Sequence, residues 1–268
     1  MNINKINLEA TTNKELTNLF PELPMQHRYN IMEASLNKYL QEFKGDKRAE
    51  AERIEKLLPT QVVRSGSKES LQQYSTPASI AHLMTKLLDP QPDDIVLEPS
   101  AGTGNLLRFL PPVKEIYANE IDEHRRSLLS DLGYKTTALN AEFINDLLPA
   151  EIKPNKIIMN PPFSAGLKTT RNKTQYGFNH LNQALQRLEY GGILVCLLGE
   201  SAMNHIDQFR RILVMVQGVS ILESYKIKGK EYYKNGTTTT TNIIVFKKNK
   251  EIAIIAKSID NLTAQKEL

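Results

Sequence analysis

Between Gln91 and Lys248, short runs rich in β-branched and other apolar residues alternate with segments of helical spacing, and this alternation limits the fold more than any other feature. Strands are expected at Ile95 to Pro99, Ile116 to Ile121, Lys156 to Asn160, Ile193 to Leu198, Ile221 to Ile227 and Ile243 to Phe246, with a weaker one over Tyr134 to Leu139. Helices are expected at Gly104 to Leu110, Glu123 to Leu132, Phe178 to Leu188 and His205 to Val216. Strand, helix and strand in succession require crossover connections, so the expected fold is α/β, a doubly wound and mostly parallel sheet closed by a strand pair after Val219. Such sheets bind ligands beyond the carboxyl ends of their strands, which directs attention to residues just after Leu97, Ala118, Leu139 and Met159.

A length of 268 residues suits one such core with an addition. Apolar residues from Ile31 to Leu58 recur at three- and four-residue spacing among many charges, predicting a helical N-terminal appendage over 1–65, a main domain over 66–250 and a tail over 251–268. In the appendage, Lys44, Lys47, Arg48, Arg53 and Lys56 interleave with acidic residues, as on a solvated helix face. The net charge of +4 suits a polyanionic partner without demanding one. The single cysteine, Cys196, rules out an internal disulfide and a cysteine-based zinc site, and its apolar neighbours make it a buried strand thiol. The expected setting is the reducing cytoplasm, with no metal and no membrane.

Three clusters carry chemistry. Glu98-Pro99-Ser100-Ala101-Gly102-Thr103-Gly104-Asn105 lies where the first strand turns toward its helix, and its glycines let a ligand approach the backbone. It has no third glycine and no basic residue, and Glu98 at the strand end repels a pyrophosphate, so a cofactor bearing a positive charge fits better than a dinucleotide. Glu120 closes the second strand 18 positions past Gly102, where an acidic side chain accepts from both ribose hydroxyls; Ile121 then flanks the adenine. Asn160-Pro161-Pro162-Phe163 follows an apolar strand. Consecutive prolines remove backbone donors and leave carbonyls to accept, so the Asn160 side-chain oxygen and the Pro161 carbonyl suit an amine substrate, with Phe163 as a stacking face for a flipped base. Each cluster has a purely structural counterpart: a tight turn, a helix-capping acid, a Pro-Pro cap on a buried strand.

In this order the clusters resemble motifs I, II and IV of the gamma-class adenine-N6 DNA methyltransferases, including orphan enzymes of the plasmid and phage type. Upstream, Gln73-Tyr74-Ser75-Thr76-Pro77 resembles motif X of that family. The resemblance runs from about Leu71 to Lys248. It implies a seven-stranded Rossmann-like methyltransferase sheet with an antiparallel last strand, and S-adenosylmethionine as methyl donor with S-adenosylhomocysteine as product. Cofactor contacts are implied for Tyr74, Thr76, Pro77, Glu98, Ser100, Gly102, Gly104, Asn105, Glu120 and Ile121. For motif III this chain offers Glu142 and Phe143 beside the cofactor adenine, with Asp146 as the alternative to Glu142. Asn160, Pro161, Pro162 and Phe163 take the target base.

The implied reaction is a direct displacement in which the adenine amine attacks the methyl group with no covalent enzyme intermediate. Lys168, Arg171 and Lys173 follow the catalytic cluster and are expected to touch phosphate of a double-stranded DNA with its adenine flipped out. Family members that recognise a site usually carry a C-terminal recognition domain, whereas here only Ser258 to Leu268 remain after the last strand, so sequence reading is expected from the N-terminal helices or a protein partner, or is expected to be slight. The same residues also suit methylation of a base amine in RNA or of a protein glutamine, and the fold alone suits a non-catalytic DNA-binding subunit.

Overall fold

The structure is a computed structural model that describes residues 20–59, 75–162, 175–200, 218–230, 240–249 and 266–267. Two helices come first, α1 (Met25–Glu42) and α2 (Lys47–Glu55), the second capped by the Asp46 carboxylate on two backbone N–H groups. There follow α3 (Ala78–Leu88), β1 (Ile95–Glu98), β2 (Glu115–Asn119), α4 (Glu123–Asp131), β3 (Lys135–Thr137), a 3₁₀ turn at Ala141–Phe143 leading into α5 (Ile144–Leu147), β4 (Lys156–Met159), α6 (Gln175–Arg187), β5 (Ile193–Gly199), β6 (Val219–Ile227) and β7 (Thr241–Lys248). A two-residue strand, β8 (Lys266–Glu267), lies at the sheet edge.

The sheet order is β3-β2-β1-β4-β5-β7-β6-β8. Strands β1 to β5 pair in parallel, and β7 runs antiparallel between β5 and β6. This is the mixed, mostly parallel α/β sheet that the alternating pattern predicts, with β8 added. Buried on both faces, its central strands divide their residues by parity. Ile157 and Met159 of β4, with Leu194, Cys196 and Leu198 of β5, pack on Phe178, Leu181, Ala184, Leu185 and Leu188, in or just after α6. Ile158, Val195 and Leu197 point the other way, onto Ile80, Ala81, Met84 and Leu88 of α3. Neither α3 nor its role as a sheet cover is anticipated above, although the spacing of those four residues is helical.

Helices α1 and α2 lie against the sheet domain. Ile31 and Ala34 of α1 pack on Leu128 and Leu132, while Tyr29, Met32, Leu36 and Leu40 join Ala51, Ile54 and Leu58 over Ala78 of α3. The ion pairs Arg48–Glu52 at 2.8 Å and Arg53–Glu50 at 2.7 Å occupy the outer face of α2, as its interleaved charges suggest. Glu55 differs: it accepts from the buried guanidinium of Arg108 at 2.8 Å.

The helix expected over Gly104 to Leu110 is replaced by consecutive tight turns, with N–H to carbonyl bonds from Gly104 to Ala101, Leu107 to Gly104 and Leu110 to Leu107. Long-range chemistry overrides local propensity here. The Arg108 guanidinium is drawn to Glu55 at 2.8 Å and the Thr76 carbonyl at 3.1 Å, its Nε occupies the Asn105 carbonyl that a helix would use internally, and Pro111 and Pro112 bring no donors to continue one. The helix expected at His205 to Val216 lies outside the described residues. No helix among the described residues is long and apolar enough to cross a membrane.

Candidate active site

Sheet order reverses between β1 and β4, the place where crossovers diverge and leave a crevice. A cavity of about 180 Å³ opens there, walled by Glu98 to Thr103 after β1, Glu120 and Ile121 after β2, Leu139 to Ala141 after β3, and Asn160 and Pro162 after β4. Ser75 and Thr76 close it from before α3, and His180 of α6 from the other side. The glycine turn and the Asn-Pro-Pro segment, 55 positions apart from Asn105 to Asn160, thus share one cavity.

Gly102 has a φ of +58°, a left-handed conformation that side chains with a Cβ rarely adopt, and its N–H donates to Glu120 Oε2 at 2.8 Å. Glu120 Oε1 accepts from the Asp122 N–H at 2.9 Å. Each carboxylate oxygen keeps a further lone pair for a ligand hydroxyl. Burial raises the Glu120 carboxyl, opposed chiefly by the charge of Arg125 and then by those two N–H groups. Gly104 does not serve ligand approach. Its φ is +89°, and a Cβ there would stand 3.2 Å from Leu129 and 3.4 Å from Tyr134, so this glycine lets the turn pack on α4.

Glu98 is 1% exposed. Burial pushes its carboxyl well above the usual range, the Ser100 N–H at 3.2 Å opposes this, and the charge of Glu120 adds to it. Its Oε2 has no hydrogen-bond partner among the described residues. Asn119, fully engaged, ties the strand ends together: Nδ2 donates to the carbonyls of Pro99 and Leu139, and Oδ1 accepts from Thr137 and Leu139.

At the end of β4, Asn160 Nδ2 donates to Thr76 Oγ1 at 3.0 Å. That bond uses the donor end of the amide and orients its carbonyl oxygen for acceptor work. Pro161, between the lining residues Asn160 and Pro162, is buried, and Pro77 occupies the N-cap position of α3; neither lines the cavity. Glu142 and Phe143 are absent from the cavity lining and Phe143 is 51% exposed; the Asn140 side chain caps the 3₁₀ turn through the Glu142 N–H. Asp146, the alternative, is also exposed. Leu139, Asn140 and Ala141 stand where those residues were expected. Asn105 also lines the cavity, while its side chain bonds back to Glu33 and Asn37 of α1. Tyr74, Phe163, Lys168, Arg171 and Lys173 lie outside the described residues.

Sequence reading missed Asn119, Arg125, Asn140 and His180. None belongs to a short motif; only the position of Asn119 and Asn140 just before or after strand ends signals them. Burial lowers the His180 pKa to about 4, so the imidazole facing the cavity is neutral at pH 7. Its folded value lies below its unfolded one, so the stability it confers is complete at neutral pH and lost as pH falls from about 6.5 toward 4. Replacing His180 with Phe should make urea unfolding less acid-sensitive, by roughly 2–3 kcal/mol between pH 7 and pH 4.5. Parallel acid losses in both proteins would refute this. Cys196 is buried in β5, with its thiol raised by burial and then by Glu98. No metal-holding group of His, Cys, Asp or Glu occurs among the described residues.

No protein-family model matches the chain, and no curated protein matches it significantly. Solved structures do. The chain aligns with a modification subunit of a proposed type I restriction enzyme from Vibrio vulnificus YJ016 at a TM-score of 0.53 and 14% identity, covering 84% of this chain and 58% of that one. It aligns with a proposed RNA methyltransferase from Pyrococcus horikoshii at a TM-score of 0.51 and 20% identity, covering 80% and 97% respectively. Against TrmN from Thermus thermophilus the TM-score is 0.47 at 20% identity, over 69% of this chain and 52% of that one, so the chain spans about half its length. Sheet order, the single reversed strand β7 and the first two likenesses together give the chain the Rossmann-like α/β fold of the methyltransferases.

Proposed function

We propose that the chain transfers a methyl group from S-adenosylmethionine to the exocyclic amine of adenine in DNA. The observation that carries the reading is the shared cavity: the amide of Asn160, oriented by Thr76, faces the same space as the glycine turn, Glu98 and Glu120.

The residues present fit the cofactor. Glu98 brings a buried carboxyl whose Oε2 lacks a partner among the described residues, suited to a ligand ammonium. Glu120 retains lone pairs for ribose hydroxyls, and the exposed Ile121 offers an apolar face to a base. The bound cofactor supplies an electrophilic methyl group on a positively charged sulfur.

The chain's own residues prepare the amine. Adenine's amino lone pair is delocalised into the ring. Asn160 Oδ1 and the Pro161 carbonyl, accepting the two N–H groups, draw that pair back onto nitrogen and fix its direction. Neither this amide nor the neutral imidazole of His180 is basic enough to keep the proton released on transfer, which passes to water. The interior placement of Cys196 removes the thiol nucleophile that methylation at a cytosine carbon requires.

A DNA acceptor is favoured by the Gln73-Tyr74-Ser75-Thr76-Pro77 segment, whose Thr76 reaches Asn160, and by the likeness to a modification subunit. The Pyrococcus likeness, spanning nearly all of that protein, makes a base amine of RNA the second reading. Expression in a host lacking adenine methylation, followed by nucleoside analysis of both its nucleic acids, decides between them. N6-methyladenine in DNA is expected. Methylated bases in RNA alone would replace the first reading by the second, and none in either would refute both.

A further inference from the structure

Helix α1 carries two polar side chains buried mid-helix, Glu33 at 4% exposure and Asn37 at 0%, one turn apart on one face. Burying a carboxyl and an amide is costly unless both are hydrogen-bonded, and here they are spent on the glycine turn. Glu33 Oε2 accepts from Thr103 Oγ1 and Oε1 from Asn105 Nδ2, each at 2.9 Å. Asn37 Nδ2 donates to the Thr103 carbonyl at 2.7 Å and to Asn105 Oδ1 at 3.0 Å. These four bonds grip the residues on either side of Gly104. On the front of the same turn, Gly102 donates to Glu120 and Ala101 donates to the Asn119 carbonyl.

The turn needs this support because it is not a helix. Its internal bonds are the short-range ones from Gly104 to Ala101 and from Leu107 to Gly104, so its shape is set by what holds it from outside. A second anchor extends the arrangement. Arg108 donates to Glu55, just inside the end of α2, at 2.8 Å and to the Thr76 carbonyl at 3.1 Å, while the other Glu55 oxygen accepts from the Ala78 N–H at 2.9 Å. Helices α1 and α2 therefore hold both the glycine turn and the segment that orients Asn160.

We propose that α1 is a working part of the cofactor site, with Glu33 and Asn37 as positioning residues that keep the glycine turn ready for its ligand, so that α1 docking and cofactor binding are coupled. The inference rests on the cofactor reading above and extends it to the N-terminal helices, which then serve the cofactor rather than the recognition of a nucleic-acid sequence. Coupling of this kind is reciprocal: what α1 contributes to cofactor affinity, the cofactor returns as protection of α1.

The test uses the full chain, with S-adenosylhomocysteine as probe. Glu33→Gln keeps the side chain's size but turns one acceptor into a donor facing Thr103 or Asn105. It should weaken binding by calorimetry about tenfold and raise the cofactor KM similarly, while kcat at saturating cofactor changes less than about threefold. In the unaltered protein the probe should slow hydrogen exchange of the α1 amides, and Glu33→Gln should abolish that slowing. A purely structural role for Glu33 would lower stability without separating KM from kcat and without making α1 exchange depend on the probe. Should Glu33→Gln fail to fold, Asn37→Ala carries the same expectations. Equal affinity in variant and parent, or α1 exchange indifferent to the probe, overturns the inference alone. Failure of the unaltered protein to bind the probe overturns the cofactor reading as well.

Discussion

Asn160→Ala is expected to lower kcat about 10²- to 10³-fold while leaving cofactor affinity within a few fold. The magnitude is that of removing one preorganised group from a site where charge shifts during reaction. The separation follows from position: Asn160 lies at the end of β4 and bonds to Thr76, whereas the groups suited to the cofactor stand after β1 and β2. Thr76 should then be the next most sensitive position, since it orients the amide, and Thr76→Val should cost less than the loss of Asn160 itself. Tritiated methyl transfer to an adenine-containing duplex, with calorimetry for the cofactor, checks both parts. Retained turnover in Asn160→Ala would remove the amide from the mechanism.

Glu98→Gln should move stability and affinity in opposite directions. In the folded chain the Glu98 carboxyl is held well above its ordinary value, chiefly by burial. The folded state therefore binds this proton more tightly than the unfolded one, and the associated stability is lost as pH rises through the raised value. Glutamine carries no such cost, so the variant should melt higher than the parent, with a gap that widens toward alkaline pH. Cofactor binding should weaken about 10- to 100-fold, the worth of roughly 1.5–3 kcal/mol for a hydrogen bond to a charged group. The pH dependence separates this from simple damage. An arriving ammonium favours the ionised carboxyl, so the parent releases a proton on binding and gains affinity as pH rises, while Glu98→Gln should lose that proton release. Calorimetry in buffers of different ionisation enthalpy reads it directly, and equal proton release by both proteins would contradict the assignment.

The parts of the site legible in the sequence are those fixed by local pattern. Apolar runs ending in Glu98, Glu120 and Asn160 locate three strand ends, and a doubly wound sheet brings strand ends to one crevice. What escaped depends on contacts between distant positions. The helix expected after Gly104 fails because Arg108 is drawn to Glu55, 53 positions away. The role of the N-terminal helices rests on partners 66 to 72 positions from Asn37 and Glu33. Their charge pattern is the ordinary one of a solvated face, and nothing local distinguishes the buried Glu33 from the half-buried Glu52, whose partner is the neighbouring Arg48. Likewise the two-residue shift from Glu142 and Phe143 to Asn140 and Ala141 goes with a capping bond from the Glu142 N–H to the Asn140 side chain, a detail finer than hydrophobic periodicity resolves.

On the proposed function, a single chamber serves both a positively charged methyl donor and a base amine. Incubating the purified chain with tritiated S-adenosylmethionine and duplex DNA, then digesting the DNA to nucleosides, tests this most directly. Label eluting as N6-methyl-2′-deoxyadenosine, dependent on Asn160, is the predicted result. Tight cofactor binding with no label in any base would contradict it.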